Sequence, residues 1–213
     1  MTPDGRTAYV ADWTGGTVTP IDIGTGQALP PIQAGSFPSA IVVTPDGRTA
    51  YVANYGSDTV TPITIATDTA GAAIPAGYAP DALTVTPDGK VVYVVDGNSD
   101  EVTPIVTATG QPGRAVAVGY SPVAVMTLPT GTDAYVVSSI AGTVTPLATA
   151  SGRPGAPISV GLYSYPTGLA VSGSTAVVLD TYAGQISVIS TSTGHVFAPV
   201  TVGNFPVAVA ISG

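Results

Sequence analysis

The feature that most constrains the fold is an internal repeat with a period of 42 residues. A Tyr-Val dipeptide starts at Tyr9, Tyr51, Tyr93 and Tyr135, and Val177-Val178 takes its place once more. Stacked repeats share one continuous core, because no unit of this size can cover its own apolar face. The pattern therefore predicts a single domain over residues 1–213, built from five copies of one unit.

The second copy shows the order of elements within a unit. Ser39 to Thr44 is apolar on both faces, as expected for a strand buried on both sides. Pro45-Asp46-Gly47 predicts a tight turn into a second strand at Thr49 to Asn54. A third strand, rich in β-branched residues, follows at Thr59 to Ala66, and a short fourth strand at Ala72 to Pro75. We therefore expect an all-β fold, a β-propeller of five four-stranded antiparallel blades.

The two chain ends suggest how such a ring could close. Pro206 to Ile211 matches the innermost strand, whereas the N-terminus supplies only the last three strands of its blade, from Thr7 onward. We expect the terminal strands to close the last blade together, because closure leaves no sheet edge open. The alternative is a set of repeats cut from a longer array. Met1 falls directly on a repeat turn, which would be consistent with an upstream segment.

Proline residues fall inside four of the predicted third strands. They are Pro20, Pro62, Pro104 and Pro146, and Val188 takes this position in the fifth copy. Proline cannot donate a hydrogen bond to a strand ladder. We expect the proline nitrogen atoms to face the fourth strand, at places where that strand offers no opposing carbonyl.

The composition excludes several classes of partner. Charged residues make up 8% of the chain, and five basic against thirteen acidic residues give a net charge of −8. An acidic chain without a cationic cluster is a poor ligand for nucleic acid or for an anionic membrane surface. The chain has no cysteine, which excludes disulfides and thiol catalysis. No apolar run is long enough to cross a bilayer, so we expect no membrane insertion.

The repeat residues resemble a known family. Tyr51-Val52-Ala53-Asn54 resembles the Tyr-Val-Thr-Asn element of the YVTN β-propeller repeat, and the Thr44-Pro-Asp-Gly turn and the Val60-Thr-Pro-Ile segment match its other marks. The resemblance covers essentially the whole chain. It implies a β-propeller, and because relatives include surface-layer proteins it implies an extracytoplasmic or cell-surface location.

One face of the predicted propeller collects polar and aromatic residues. The loop after each second strand and the connection between units open on the same face, since strands alternate in direction. The residues predicted to bind a ligand there are Asp12, Trp13, Asn54, Tyr55, Tyr78, Asp81, Asp96, Asn98, Tyr120, Asp180 and Tyr182. Phe37, Tyr163, Tyr165 and Phe205 belong to the same face.

The chemistry of this face allows two interpretations. Aromatic rings suit sugar rings or cations, and spaced carboxylates could hold Ca²⁺. In the other interpretation, the Asp and Asn side chains cap the strand ends by bonding to nearby backbone, and the rings cover the joints between blades. No other cofactor is indicated. We expect no catalytic residue, because His195, the single histidine, lies in a turn on the opposite face.

Three functions remain open from the sequence. The first is a non-catalytic module that binds a protein or a glycan outside the cytoplasm. The second is an enzyme, since lactonase-like and quinoprotein-dehydrogenase-like propellers are similar in fold. The third is a structural segment of a larger surface-layer repeat protein.

Overall fold

The computed structural model describes residues 1–161 and 164–211. Tyr163, one of the predicted loop-face residues, lies outside them, as do Leu162, Ser212 and Gly213. All regular elements are strands, and they form five antiparallel sheets, one for each repeat. The described residues contain no helix that is long and apolar enough to cross a membrane. We refer to the sheets as blades 1 to 5 in chain order.

Each blade is an up-and-down meander, and its strands share their boundaries between copies. The innermost strands are β4 (Pro38–Val43), β9 (Pro80–Val85), β14 (Pro122–Thr127) and β19 (Pro166–Ser172). The second strands are β1 (Thr7–Asp12), β5 (Thr49–Asn54), β10 (Val91–Asp96), β15 (Asp133–Ser138) and β20 (Thr175–Asp180). The third strands are β2 (Thr17–Asp22), β6 (Thr59–Thr64), β11 (Glu101–Val106), β16 (Thr143–Ala148) and β21 (Gln185–Ser190).

The fourth strand of a blade is not continuous. In blades 2 to 4 it is split into two short pieces that pair with opposite ends of the third strand. The pieces are β3 (Ile32–Gln33), β7 (Thr69–Ala70), β8 (Ile74–Pro75), β12 (Gln111–Pro112), β13 (Val116–Ala117), β17 (Arg153–Pro154), β18 (Ile158–Ser159) and β22 (Val200–Thr201). The all-β propeller fold expected from the sequence is confirmed, with a fourth strand that is shorter than predicted.

The core lies between the blades, and the second strands of blades 2, 3 and 4 each contribute to two layers of it. Ala50 and Val52 of β5 pack with Val18 and Ile63 in the layer between blades 1 and 2. Tyr51 lies on the other face of the same strand. It packs with Val60, Val92, Val94 and Ile105 between blades 2 and 3. Alternate side chains of a strand point to opposite faces, so one strand of mainly apolar residues supports both neighbours.

The repeated tyrosine also ties successive blades together at its hydroxyl. The Tyr93 hydroxyl donates to the Thr149 carbonyl of blade 4 at 3.3 Å, and the Tyr135 hydroxyl donates to the Thr191 carbonyl of blade 5 at 3.3 Å. Tyr9 instead donates to Asp68 at 2.8 Å. Each ring thus fills an apolar joint while its polar end is satisfied in the turn of the next blade.

The prolines in the third strands occupy the interruption of the fourth strand, as predicted. The Pro62 carbonyl accepts the Gly71 amide at 2.7 Å, and the nitrogen of a strand residue points to the same side as its carbonyl. Pro62 therefore faces the fourth strand between β7 and β8. Blade 5 has the same interruption without proline, since the Val188 carbonyl accepts the Phe197 amide at 2.9 Å. The architecture creates the gap, and proline fits into it.

This arrangement predicts that Val188→Pro is tolerated. The Val188 amide faces the interrupted side, so the substitution should cost less than about 1 kcal/mol of unfolding free energy. The matched control is Val178→Pro in β20, which is fully buried and paired on both sides. It should cost more than about 3 kcal/mol. Urea unfolding of the two variants measures both values, and equal destabilisation by the two would contradict the assignment.

The ring closure expected from the sequence is not present in the described residues. The first sheet has three strands, and residues 204–211 form no strand. No backbone hydrogen bond joins residues 207–211 to β1 within the described ranges. Residues 204–211 instead follow blade 5, where the Pro206 carbonyl accepts the Thr181 hydroxyl at 2.9 Å. The first and last blades are therefore not joined by strand pairing in the part of the chain that the structure describes.

Candidate functional site

The loops predicted to carry the site do lie on one side of the blades. We call this side the loop face. It comprises the loops at residues 13–16, 55–58, 97–100, 139–142 and 181–184 and the connections at 34–37, 76–79, 118–121 and 202–205. Backbone hydrogen bonds join the two kinds of segment within a blade, for example from the Tyr55 amide to the Phe37 carbonyl at 2.9 Å.

The polar residues at the ends of the second strands divide into exposed and buried members. Asp12 is exposed, and its carboxylate accepts the amides of Thr14 and Gly15 at 3.1 and 2.9 Å. The Gly15 amide makes the largest contribution to lowering the pKa of Asp12. Asn54, Asp96 and Asp180 are buried. Ligand binding by these three stays a prediction, and their side chains are engaged in hydrogen bonds within the protein.

The buried members bond to the third strand of their own blade. The Asn54 side-chain amide donates to the Thr61 hydroxyl at 2.9 Å. Asp96 accepts the Thr103 hydroxyl at 2.6 Å, and Asp180 accepts the Ser187 hydroxyl at 2.7 Å. These bonds connect the ends of neighbouring strands below the loop face.

Asp96 is the most perturbed acid of this set. Burial raises the pKa of Asp96 to about 6, and the nearby Glu101 adds to the increase, although bonds from Thr103 and Gly77 oppose it. Burial also raises the pKa of Asp180. An acid whose folded pKa is raised destabilises the protein when it ionises. Stability should therefore fall as the pH rises from about 4 to about 6, and remain at that lower level above pH 6.

We predict that Asp96→Asn stabilises the protein at pH 7.5. Asparagine can make the contact that Asn54 makes in blade 2, and it removes a buried charge whose cost is at most about 3 kcal/mol, at about 1.4 kcal/mol per pKa unit. The gain should be about 1–3 kcal/mol by urea unfolding, and the pH dependence between 4 and 6 should flatten. Asp88→Asn is the control, because Asp88 is exposed and Thr86 holds its pKa at about 2. An unchanged pH profile in Asp96→Asn would contradict this assignment.

Three aromatic rings meet on the loop face across the joint between blades 1 and 2. The Trp13 ring stacks on Phe37 with centroids 5.3 Å apart, and its centroid lies 5.4 Å from that of Tyr55. Trp13 and Phe37 are each 44% exposed, so the cluster offers its rings to solvent. Phe37 adopts φ of 54°, a left-handed conformation that an L-residue other than Asn or Asp seldom takes, and this turn directs the chain into β4.

A depression of about 520 Å³ adjoins this cluster. Phe37 forms one wall, and the polar side chains are the neutral groups of Thr14, Gln33, Ser36 and Ser57, with Ala34 and three glycines between them. The Ser57 hydroxyl accepts the Ser36 amide at 3.2 Å, which fixes one side of the depression. The volume is in the range of small-molecule sites. An aromatic wall beside uncharged hydrogen-bonding groups is suited to a polyhydroxylated ligand.

The sequence interpretation missed most of this depression. Trp13 and Tyr55 were predicted and lie beside it, but Thr14, Gln33, Ser36 and Ser57 were not predicted. Short polar residues in loops have no distinctive spacing, so only the three-dimensional arrangement shows that they converge.

The other predicted residues lie elsewhere on the loop face. Tyr182 belongs to a second aromatic group, in which its ring centroid lies 5.2 Å from that of Tyr165 and 5.5 Å from that of Phe205. Tyr78 and Tyr120 are highly exposed and contact no other ring among the described residues. Asn98 is exposed in the loop of blade 3, and Asp81 is exposed at the start of β9.

The titratable residues do not assemble into a metal centre within residues 1–161 and 164–211. No group of three or more His, Cys, Asp or Glu side chains is close enough to hold an ion there. His195 lies in the turn before residues 196–197, and its ring contacts Phe197 with centroids 4.8 Å apart. This turn is on the side opposite the loop face.

The meander blades and the shared inter-blade core define this protein as a β-propeller. The family described as lactonase, 7-bladed beta-propeller matches residues 1–127, and the chain belongs to that family. No curated protein gives a significant match.

Solved structures support the fold at low sequence identity. A functionally unknown protein from Desulfotomaculum acetoxidans is 16% identical with a TM-score of 0.84, over 95% of this chain and 68% of that one. Hydrazine synthase from Kuenenia stuttgartiensis is 19% identical with a TM-score of 0.73, over 100% and 88%. Virginiamycin B lyase from Staphylococcus aureus is 14% identical with a TM-score of 0.75, over 92% of this chain and 66% of that one.

Proposed function

We propose that this protein is a non-catalytic carbohydrate-binding β-propeller whose ligand lies in the depression between blades 1 and 2. One observation carries the proposal. The exposed Trp13–Phe37 stack adjoins a depression of about 520 Å³ whose other polar side chains are uncharged hydroxyl and amide groups. A sugar ring has apolar faces that pack on aromatic rings and hydroxyls that need neutral hydrogen-bonding partners.

The location and partner class follow from the same proposal. The resemblance to the YVTN repeat supports an extracytoplasmic or surface protein, where glycans are abundant. The net charge of −8 disfavours nucleic acid as a partner. We propose Ca²⁺ only as a co-ligand, because the exposed Asp12 is the sequence neighbour of Trp13.

The test is binding on a glycan array, with and without Ca²⁺, followed by substitution. We predict that Trp13→Ala and Phe37→Ala each weaken binding of the best glycan about tenfold, because each removes part of the aromatic wall, a loss of about 1.4 kcal/mol. Unfolding free energies should change by less than about 1 kcal/mol, since the residues are exposed.

Tyr120→Ala provides the matched control. Tyr120 is on the same face, is 70% exposed and lies outside the cluster, so binding should be unchanged. If Trp13→Ala unfolds the protein, the rings serve to pack the blade joint. If no glycan binds, or if Tyr120→Ala weakens binding as much as Trp13→Ala, the proposed site is wrong.

Family membership favours a second candidate, a lactonase-like enzyme. The structural similarity to virginiamycin B lyase is compatible with an enzyme as well, and a variant of that lyase with one histidine replaced by alanine is described as catalytically inactive. The single histidine of this chain packs on Phe197 away from the loop face. The test is hydrolysis of a panel of lactones by the purified protein. Hydrolysis that His195→Ala retains and Asp12→Asn loses would favour this candidate over simple binding.

A further inference from the structure

A groove on the outer rim between blades 3 and 4 concentrates unpaired positive charge. Its volume is about 560 Å³, and Arg114 and Arg153 both line it. Arg114 lies between β12 and β13 of blade 3, and Arg153 begins β17 of blade 4. Pro104, Val116 and Pro154 line the same groove, so the two arginines share it with an apolar floor made of these residues.

Such a concentration of positive charge is unusual in this chain. The chain has only five basic residues. Three of them are paired within their own turns, Arg6 with Asp4 at 3.9 Å, Arg48 with Asp46 at 3.9 Å and Lys90 with Asp88 at 3.0 Å. The other two are Arg114 and Arg153. Neither forms an ion pair among the described residues, and no acidic side chain lines the groove.

The acidic residue that strand pairing brings to the groove does not neutralise its positive charge. Glu101 is the backbone partner of Ala117, which lines the groove. No ion pair joins Glu101 to either arginine in the part of the chain that the structure describes. Two arginines on one small groove give it a local positive charge, which a bound anion would offset.

The repeat shows that the fold does not require these arginines. The residues equivalent to Arg114 in the other copies are Pro30, Ala72, Ala156 and Ala198, and those equivalent to Arg153 are Gln27, Thr69, Gln111 and His195. The corresponding groove between blades 4 and 5 has nearly the same volume, about 570 Å³. It is lined by Ala156 in place of Arg114, and Asp133 contributes a negative charge.

We propose that the groove between blades 3 and 4 binds a small organic oxyanion, carrying a phosphate or a carboxylate group. The planar guanidinium presents paired donors that match both groups. The apolar floor would contact the organic part of the ligand. The site lies on the rim, away from the loop face, so it does not depend on the proposed carbohydrate site.

The experiment is calorimetric titration of the full chain with inorganic phosphate, phenyl phosphate and succinate at 20 mM and 200 mM salt. Binding should weaken at the higher salt, because the attraction is electrostatic and the groove is open to solvent. Preference for the phosphates identifies a phosphate ester as the ligand class, and preference for succinate identifies a carboxylate. Absence of binding by all three probes would overturn the proposal.

Substitutions locate the binding. Arg114→Gln and Arg153→Gln should each weaken binding at least tenfold, and both together should abolish it. Arg48→Gln is the matched control, an exposed arginine outside the groove, and should leave binding unchanged. All variants should keep the wild-type thermal midpoint, because the side chains are exposed.

A gain of binding tests the groove itself. Ala156→Arg with His195→Arg, made in the Arg114→Gln, Arg153→Gln background, places both cations at the equivalent groove between blades 4 and 5. Recovery of binding, weaker because Asp133 is present, would show that two arginines on this scaffold suffice. Binding that survives Arg114→Gln with Arg153→Gln, or that Arg48→Gln abolishes, would show that the anion binds elsewhere.

Discussion

The structure depends on the second strands of blades 2, 3 and 4, which are buried on both faces. Val52 packs toward blade 1 and Tyr51 toward blade 3, so blade 2 has little core of its own. Full burial of a side chain of this size contributes roughly 1.5–3 kcal/mol. Since these contributions lie at the joints, each blade is stable only against its neighbours, and the rotation between blades is set by the same side chains.

Burial on both faces also explains the polar residues at the strand ends. Where a strand ends inside the protein, polar groups of the neighbouring strand still need hydrogen-bond partners. Asn54 bonds to the Thr61 hydroxyl, and Asp96 bonds to the Thr103 hydroxyl. Asparagine does this without charge, whereas aspartate carries a cost above pH 6. The sequence shows that a polar residue recurs at these positions. It does not show whether that residue caps a strand or binds a ligand, because both roles produce the same repeated pattern.

Features that depend on residues close together in the sequence could be predicted, whereas features that depend on distant residues could not. Turn chemistry and alternation are local, so β5 was predicted with its observed bounds, Thr49–Asn54. The gap opposite Pro62 was predicted because proline has only one way to fit a sheet. Ring closure was not predicted correctly, because it depends on a rotation summed over four blade joints that no local pattern encodes. The depression beside Phe37 was missed because its polar groups come from three separate segments.

The repeat provides a physical criterion for separating scaffold from function. Positions that keep the same residue type, such as the buried proline that begins each of the four innermost strands, have the same structural role in each blade. A position that departs in one copy is not required by the blade. Trp13 has Tyr55 and Gly97 as equivalents, and Arg153 has Gln111 and His195. Both departures lie beside concave surfaces at blade joints, where a side chain can change without disturbing the inter-blade core. Under the two proposals made here, recognition on this scaffold would arise at individual joints, and two joints with the same backbone would accept different ligands.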